Sequence, residues 1–488
     1  MSLKSALAAV GLGTVACATS FVPAASQPVA AANEPRPNIV VMYLDDVNPI
    51  HRRLWCTQRT PNLARFCQKG VEFKNAYGTT PVCGPARASL LTGQYGHNHG
   101  VTDNSGAAFS RFDPSSTVAA RMQGAGYHTI FAGKPINGIG LVTEGPEVKR
   151  YAQGWDDFGI IWRRKNQYKS FYKYNWKTRY STSWKGTTRN DHSTRVVGNR
   201  VARQIRNAPR NKPVFAVASV YSGHTPNIAF PEHVGSSRCA GIKPWSGGAY
   251  NERNVSDKPS YIRAQPLLKA RAQSLRTRCE EMLSVDKVVG QIRRALQSDA
   301  RYYDTLFVLM SDNGVLLGDH RKPAGKRWPH ATPIPLYMMW LKELGTSKRV
   351  VREPVLGIDL APTFCRLAGC ALDDPDGQSI LSLLRGTADR LSRKYVFMEH
   401  LHPNDGMPPW TGFVTTRSYA TGVRWQFVEY DNGERELYNL VNDPRRLKNL
   451  AGKPAQQDRV ARFSTVLENQ FMRPEGIGFL PASTSEVD

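Results

Sequence analysis

The sequence predicts an α/β fold: a mostly parallel sheet sandwiched by helices, with a smaller C-terminal α+β subdomain. Three observations carry this. Ile39-Val40-Val41-Met42-Tyr43-Leu44 is a continuous apolar run, as expected of a strand buried on both faces. Three later units repeat a helix-then-apolar-strand layout, which builds parallel sheets. After about residue 385 the texture changes to short antiparallel strands.

Ser116 to Gln123 reads as a helix stopped by Gly124 and Gly126, and Tyr127 to Ala132 as a strand. Asp191 is placed to cap a helix whose apolar face is Val197, Val201 and Ile205. Pro213 then introduces the strand Val214 to Val220. The longest helix carries Leu275, Cys279, Met282, Val285, Val289, Ile292 and Leu296 at three- and four-residue steps, and its strand is Thr305 to Met310. Tyr395–Met398, Tyr419–Tyr430 and Glu436–Leu440 read as antiparallel strands. The expected division is 1–32 as a signal peptide, 33–385 as the large α/β domain and 386–488 as the subdomain.

Functional groups in such sheets gather beyond the carboxyl ends of strands. Four strands release polar residues just past that end: Asp45-Asp46, Lys134, His224, and Asp312-Asn313. Taken singly, each is more often a cap, a turn or a surface charge. Together they point to one site on one sheet edge.

Lys and Arg number 65 against 40 Asp and Glu, a net charge of +25, which attracts polyanions. No internal apolar run reaches the ~18 residues that crossing a bilayer needs, which argues against a polytopic membrane protein. Residues 1–32 carry Lys4, a weakly apolar stretch from Ala6 to Val15, then small residues with cleavage sites near Ala24–Ser26 or Ala30–Ala32. This reads as a secretory signal, with a disordered tail as the alternative. Export to the extracellular space or periplasm argues against nucleic acid as the partner. Of eight Cys, Cys17 leaves with the signal and Cys83 lies in a special motif. The other six are expected to pair by proximity, as 56–67, 239–279 and 365–370.

Between Phe158 and Asp191 there is no acidic residue. Basic residues from Arg163 to Arg189 alternate with aromatics from Trp162 to Trp184. Aromatic faces stack on sugars or bases, and the cations suit sulfate or phosphate. The alternative is a solvated hairpin with a few buried aromatics.

The sharpest local feature is Cys83-Gly84-Pro85-Ala86-Arg87-Ala88-Ser89-Leu90-Leu91-Thr92-Gly93. Pro85 suits the first turn of a helix. Cys83 then sits at the positive end of a helix dipole, where anions are favoured, with Arg87 one turn on. A buried or disulfide-bonded cysteine before an ordinary helix is the alternative.

The segment resembles the sulfatase family of the alkaline phosphatase-like superfamily, whose motif is Cys-x-Pro-x-Arg followed by Leu-Thr-Gly. Asp45-Asp46, Gly133-Lys134, His224-Thr225-Pro226, Ser311-Asp312-Asn313-Gly314, Gly325-Lys326 and Glu436-Leu437-Tyr438-Asn439-Leu440 match its other motifs in order. Gln94 to Val101 is most similar to the branch holding N-acetylglucosamine-6-sulfatases, heparan sulfate endosulfatases and algal-type arylsulfatases.

The resemblance implies that a maturation enzyme oxidises Cys83 to formylglycine, whose hydrate attacks the sulfur of a sulfate ester. It implies a divalent metal held by Asp45, Asp46, Asp312, Asn313 and residue 83. Carboxylate richness favours Ca²⁺, with Mg²⁺ the alternative. Arg87, Lys134 and Lys326 are expected to stabilise transition-state charge, and His224 to protonate the leaving alkoxide, with His320 as a second candidate. The expected substrate is a sulfated carbohydrate or an aryl sulfate. A phosphonate or phosphate monoester hydrolase, and a non-catalytic polyanion-binding protein with unconverted Cys83, are the rivals. Three departures stand out. Pro135-Ile136-Asn137 follows Lys134 where many members have a His, and Asn137 is expected to take over a substrate contact. Gly84 and Ala86 replace commoner hydroxyl-bearing residues. His330-Ala331 stands where Tyr-Glu is usual.

Overall fold

The computed structural model describes residues 36–139, 146–162, 171–269, 275–323, 325–403, 407–416 and 422–471. The expected signal peptide and the basic residues Arg163, Arg164, Lys165 and Lys169 lie outside them. In chain order the strands are β1 (Asn38–Leu44), β2 (Val71–Phe73), β3 (Ala76–Tyr77), β4 (His128–Gly133), β5 (Asp157–Trp162), β6 (Tyr174–Thr178), β7 (Thr182–Lys185) and β8 (Val214–Ser219). They continue with β9 (Thr305–Ser311), β10 (Leu336–Met339), β11 (Arg349–Val351), β12 (Val355–Leu356), β13 (Tyr395–His400), β14 (Trp410–Thr415), β15 (Trp425–Tyr430) and β16 (Arg435–Asn439).

A ten-stranded sheet runs β11-β2-β10-β9-β1-β8-β4-β5-β6-β7. Its centre, β9-β1-β8-β4-β5, is parallel throughout. Antiparallel pairings, β10 on one side and β6 and β7 on the other, begin the wings. The continuous apolar run of β1 has its reason here. Ile39, Val41 and Tyr43 join the core on one face, and Val40, Met42 and Leu44 the core on the other. Helices Cys83–Thr92, Val118–Gly124 and Leu360–Ala368 cover the first face. Helices Pro61–Lys69, Ser193–Asn207 and Leu275–Ser298 cover the second.

Two local expectations are corrected. Asp191 does not cap the helix Ser193–Asn207. Its carboxylate accepts from the Thr188 amide at 3.0 Å and the Thr188 hydroxyl at 2.6 Å, closing the preceding 3-10 turn. The Tyr419–Tyr430 strand starts only at Trp425, and β14 is an additional strand before it. β13-β14-β15-β16 form an antiparallel sheet backed by the helix Gln457–Gln470. Tyr77, Tyr95, Leu316, Trp328 and Leu356 reach across from the large domain and pack into the core of this sheet. Among the described residues three disulfides form, Cys56–Cys67, Cys239–Cys279 and Cys365–Cys370, the pairings expected from proximity.

Charge also ties the small sheet to the short helix Gly96–His99. Glu399 of β13 accepts from His97 Nδ1 at 2.6 Å and from the His97 amide at 3.2 Å. Burial opposes the charge on His97, but the Glu399 carboxylate outweighs it and raises the imidazole above its ordinary value. The folded state therefore binds the proton more tightly than the unfolded one. The resulting stabilisation is complete below about pH 6.5 and fades as pH rises through the folded pKa. His97→Gln is expected to cost more unfolding free energy at pH 6 than at pH 9, measured by urea titration at both. Equal losses would contradict this ion pair.

Candidate active site

The parallel strands β1, β4, β8 and β9 end on one edge, and the residues just past each strand converge there. After β1 come Asp45 and Asp46, after β9 Asp312 and Asn313, after β4 Lys134, and after β8 the turn with His224. Cys83 opens the helix Cys83–Thr92 against the same edge. Asp45, Asp46, Cys83, Arg87, Lys134, His224, Asp312 and Asn313 are all buried.

Cations interleave with the carboxylates. Arg87 donates to Asp312 Oδ2 at 2.8 Å and to Ser219 Oγ at 2.6 Å. Lys134 Nζ donates to Asp45 Oδ2 at 2.6 Å. Lys326 Nζ lies 2.8 Å from Asp46 Oδ2, 3.4 Å from Cys83 Sγ and 3.2 Å from His224 Nε2. Cys83 Sγ lies 3.5 Å from Asp45 Oδ1. Buried carboxylates on this scale persist only when paired with charge and hydrogen bonds, and here each is.

The electrostatics reflect the pairing. Burial works against the charge of Asp46, but Lys326, His224 and Lys134 hold its carboxyl well below the usual carboxylate range. Burial and the adjacent Asp45 push Asp312 upward. Burial pushes the Cys83 thiol up to about 12, against the pull of Lys134 and Lys326. The residue is thus a thiol at neutral pH, a poor nucleophile without further chemistry. Burial, then Lys326, lowers His224 to about 3. Its Nδ1 faces the Thr225 carbonyl at 2.6 Å, so the neutral ring donates there and presents Nε2 as acceptor to Lys326.

A cation fits this donor set. Oxygens of Asp45, Asp46 and Asp312 lie within 4.8 Å of one another. Asn313 donates through Nδ2 to Asp46 Oδ1 at 2.7 Å, whereas its Oδ1, buried, has no hydrogen-bond partner. Four oxygens, one of them orphaned, suit a hard divalent cation.

His320 sits apart from this cluster. Its Nδ1 contacts Glu252 Oε2 at 2.5 Å and its ring packs on Trp328 and His330. His330 faces Glu436 at 3.4 Å, so the departure at this position serves packing between the sheets. Asn137 lies beside Gly84, and its Oδ1 is buried without a partner. The glycine at 84 has a steric reason: a Cβ there would come within 2.8 Å of Asn104 Oδ1, which already accepts the Gly84 amide.

Several supporting residues escape sequence reasoning. Ser219 accepts from Arg87 and donates to the Lys134 carbonyl at 2.6 Å, locking two cations together. Arg278 donates to the Gly223 carbonyl at 2.9 Å and the Asp46 carbonyl at 3.3 Å. Glu281 accepts from Asn227 at 2.8 Å. Both hold the turn that carries His224. Gly223 has φ of 109°, and a Cβ there would lie 2.0 Å from the Asp45 carbonyl oxygen. The signal available in the sequence is two charged residues at i and i+3, interrupting the apolar face of the longest helix.

Comparison with known proteins agrees with this geometry. Residues 37–370 match the profile of the sulfatase family. Residues 325–472 match that of N-sulphoglucosamine sulphohydrolase, C-terminal. The N-acetylglucosamine-6-sulfatase of Capra hircus is 26% identical, covering 86% of this chain and 81% of that protein. A structure solved with its substrate D-glucosamine-2-N,6-O-disulfate has a TM-score of 0.72 at 20% identity, covering 89% of this chain and 97% of that one. The phosphonate monoester hydrolase of Agrobacterium radiobacter has a TM-score of 0.66 at 19% identity, covering 88% and 95%. The chain belongs to the sulfatase family and is a sulfuric ester hydrolase.

Proposed function

We propose that this chain is an exported, metal-dependent sulfatase that removes sulfate from sulfated carbohydrates, using formylglycine made from Cys83 by a maturation enzyme. The observation that carries the reading is the cup around Cys83. Three buried carboxylates and the unpartnered Asn313 oxygen lie on one side of it, and Arg87, Lys134 and Lys326 interleave with them. Three disulfides suit an oxidising compartment. Among the described residues no helix is long and apolar enough to cross a membrane.

Asp45, Asp46, Asp312, Asn313 and the oxygen borne by residue 83 would hold the cation, with Ca²⁺ favoured over Mg²⁺. When present, formylglycine supplies a hydroxyl nucleophile with a second hydroxyl on the same carbon, and the cation neutralises charge on the sulfate oxygens. The chain does the rest. Lys134 and Lys326 flank position 83 and bind the sulfate oxygens as charge builds on them. Arg87 fixes Asp312 and, through Ser219, the Lys134 backbone. In the Lys326–His224 pair the proton for the leaving oxygen rests on Lys326 Nζ, and His224 Nε2 receives it from there and passes it on.

This division of labour predicts a dependence on leaving group. His224→Ala is expected to slow sulfate release from a sugar sulfate about 10²- to 10³-fold, the usual contribution of a general acid. A nitrophenyl sulfate, whose phenolate leaves without a proton, should lose less than about 10-fold. Equal losses on both would remove the acid role. The phosphonate monoester hydrolase fold gives a rival reading. Sulfate release from a panel of sulfated amino sugars, run beside a phenyl phosphonate ester, separates the two. Greater kcat/KM on the phosphonate would overturn the sulfatase assignment for this site.

A further inference from the structure

The β6–β7 hairpin ends the sheet, and β7 is its edge strand. Its aromatics divide in two. Phe171, Tyr174 and Trp176 are buried in the core under the helix Ser193–Asn207. Tyr180 is 90% exposed in the turn at the end of the hairpin away from the catalytic edge, and Trp184 is 55% exposed towards the other end.

Register places these residues relative to the active site. Gly133 of β4 pairs with Ile160, Ile160 with Lys177, and Lys177 with Thr182. Lys177 thus lies in the row of Gly133, the residue before Lys134. Trp184 pairs with Asn175, and Asn175 with Trp162, two residues further toward the catalytic edge. Cross-strand partners share a face, so Trp184, Asn175 and Lys177 lie on the face of Ile160 and Trp162. That face is the one covered at its centre by the Cys83 helix. Three strand spacings separate β7 from β4, roughly 14 Å.

The charge around the hairpin is uncompensated. Lys173, Lys177 and Lys185 make no ion pair with any described residue. The neighbouring carboxylates are occupied: Asp157 by Arg200, Asp191 by Thr188, and Glu232 by Arg189, Arg195 and Lys287. Lys173 and Lys185 flank the end of the hairpin nearest the catalytic edge, where the Lys173 amide donates to the Gly186 carbonyl at 3.0 Å.

We propose that this hairpin is an auxiliary subsite for a sulfated polysaccharide, with Trp184 stacking on a sugar ring and Lys173 and Lys177 facing its sulfates, whereas Lys185, paired with the buried Tyr174, faces the opposite side. It holds the chain beside the pocket while one ester occupies the cup, and it rests on the sulfated-carbohydrate reading above. Sugar rings bearing anionic groups match both halves of the surface.

The test uses the full mature protein and two variants, Trp184→Ala and the double change Lys173→Gln with Lys177→Gln. Heparin is the polymeric probe and a nitrophenyl sulfate the small one. Both variants are expected to elute from heparin resin at lower salt and to raise KM for the polymer about 10-fold, one lost stacking or ion contact. Neither should change kcat or the kinetics on the small ester. Unchanged heparin retention overturns the subsite. So does an equal loss on the small ester, which signals altered structure. An equal salt shift on a single-stranded DNA resin for Trp184→Ala overturns the preference for sugar. A wild type that releases sulfate from no ester defeats the sulfatase reading, whereas resin retention still reports on the hairpin.

Discussion

Replacing Cys83 by alanine is expected to lower sulfate-ester turnover by about 10⁴-fold or more, the scale of losing the nucleophile in covalent catalysis. The fold should survive. Cys83 is buried at the first position of its helix, and among the described residues its Sγ makes polar contacts with Asp45, Asp46 and Lys326. Alanine keeps the helix and removes one sulfur, a cost of about 1 kcal/mol. Cys83→Ser should fail to turn over as well, because serine carries one hydroxyl and no second one on the same carbon. Sulfate release and thermal melting of the same preparations check both halves. Residual turnover above about one-tenth of wild type would contradict the assignment of residue 83.

Chelation should produce the second large effect: turnover falls to background and the melting temperature drops by about 4 °C. Asp45, Asp46 and Asp312 are almost fully enclosed, with oxygens within 4.8 Å of one another. Arg87, Lys134 and Lys326 match the three carboxylates in formal charge, so a divalent cation would be held by the oxygens it gains as ligands, the unpartnered Asn313 oxygen among them. A cation present at a thousand times its dissociation constant stabilises the fold by about 4 kcal/mol, which for a chain of this length is about 4 °C. Asp312→Ala removes one ligand and strands Arg87, so its melting temperature should no longer respond to chelator. Melting curves with and without EDTA, followed by Ca²⁺ or Mg²⁺ addition, measure this and identify the ion. An unchanged melting temperature and unchanged turnover in wild type would contradict a metal at this site.

Much of the site is legible in the sequence because parallel strands put their chemistry in one place. Asp45-Asp46, Lys134, His224 and Asp312-Asn313 each come after a recognisable apolar run, and four such runs in one sheet share an edge. Cys83 and Arg87 are legible from a helix start with Pro85. The residues that escape act through distant partners. Arg278 and Glu281 matter because a helix beginning at Leu275 crosses the turn at Gly223–Asn227, some fifty residues earlier in the chain. Ser219 looks like any strand-end serine until Arg87 arrives from another segment. Strands of two or three residues, such as β2, β3 and β12, are too short to show a period and exist only through their pairing. Asp191 misleads because a cap is a matter of one residue, and here a 3-10 turn uses the carboxylate first.

The most direct test is the mass of the tryptic peptide containing Cys83, taken from protein exported by its own host. Formylglycine is lighter than cysteine by ~18 Da, because an aldehyde oxygen replaces the thiol. The account predicts that shift on most of the active material, in proportion to specific activity. A peptide found only at the cysteine mass, from protein that still hydrolyses sulfate esters, would contradict it.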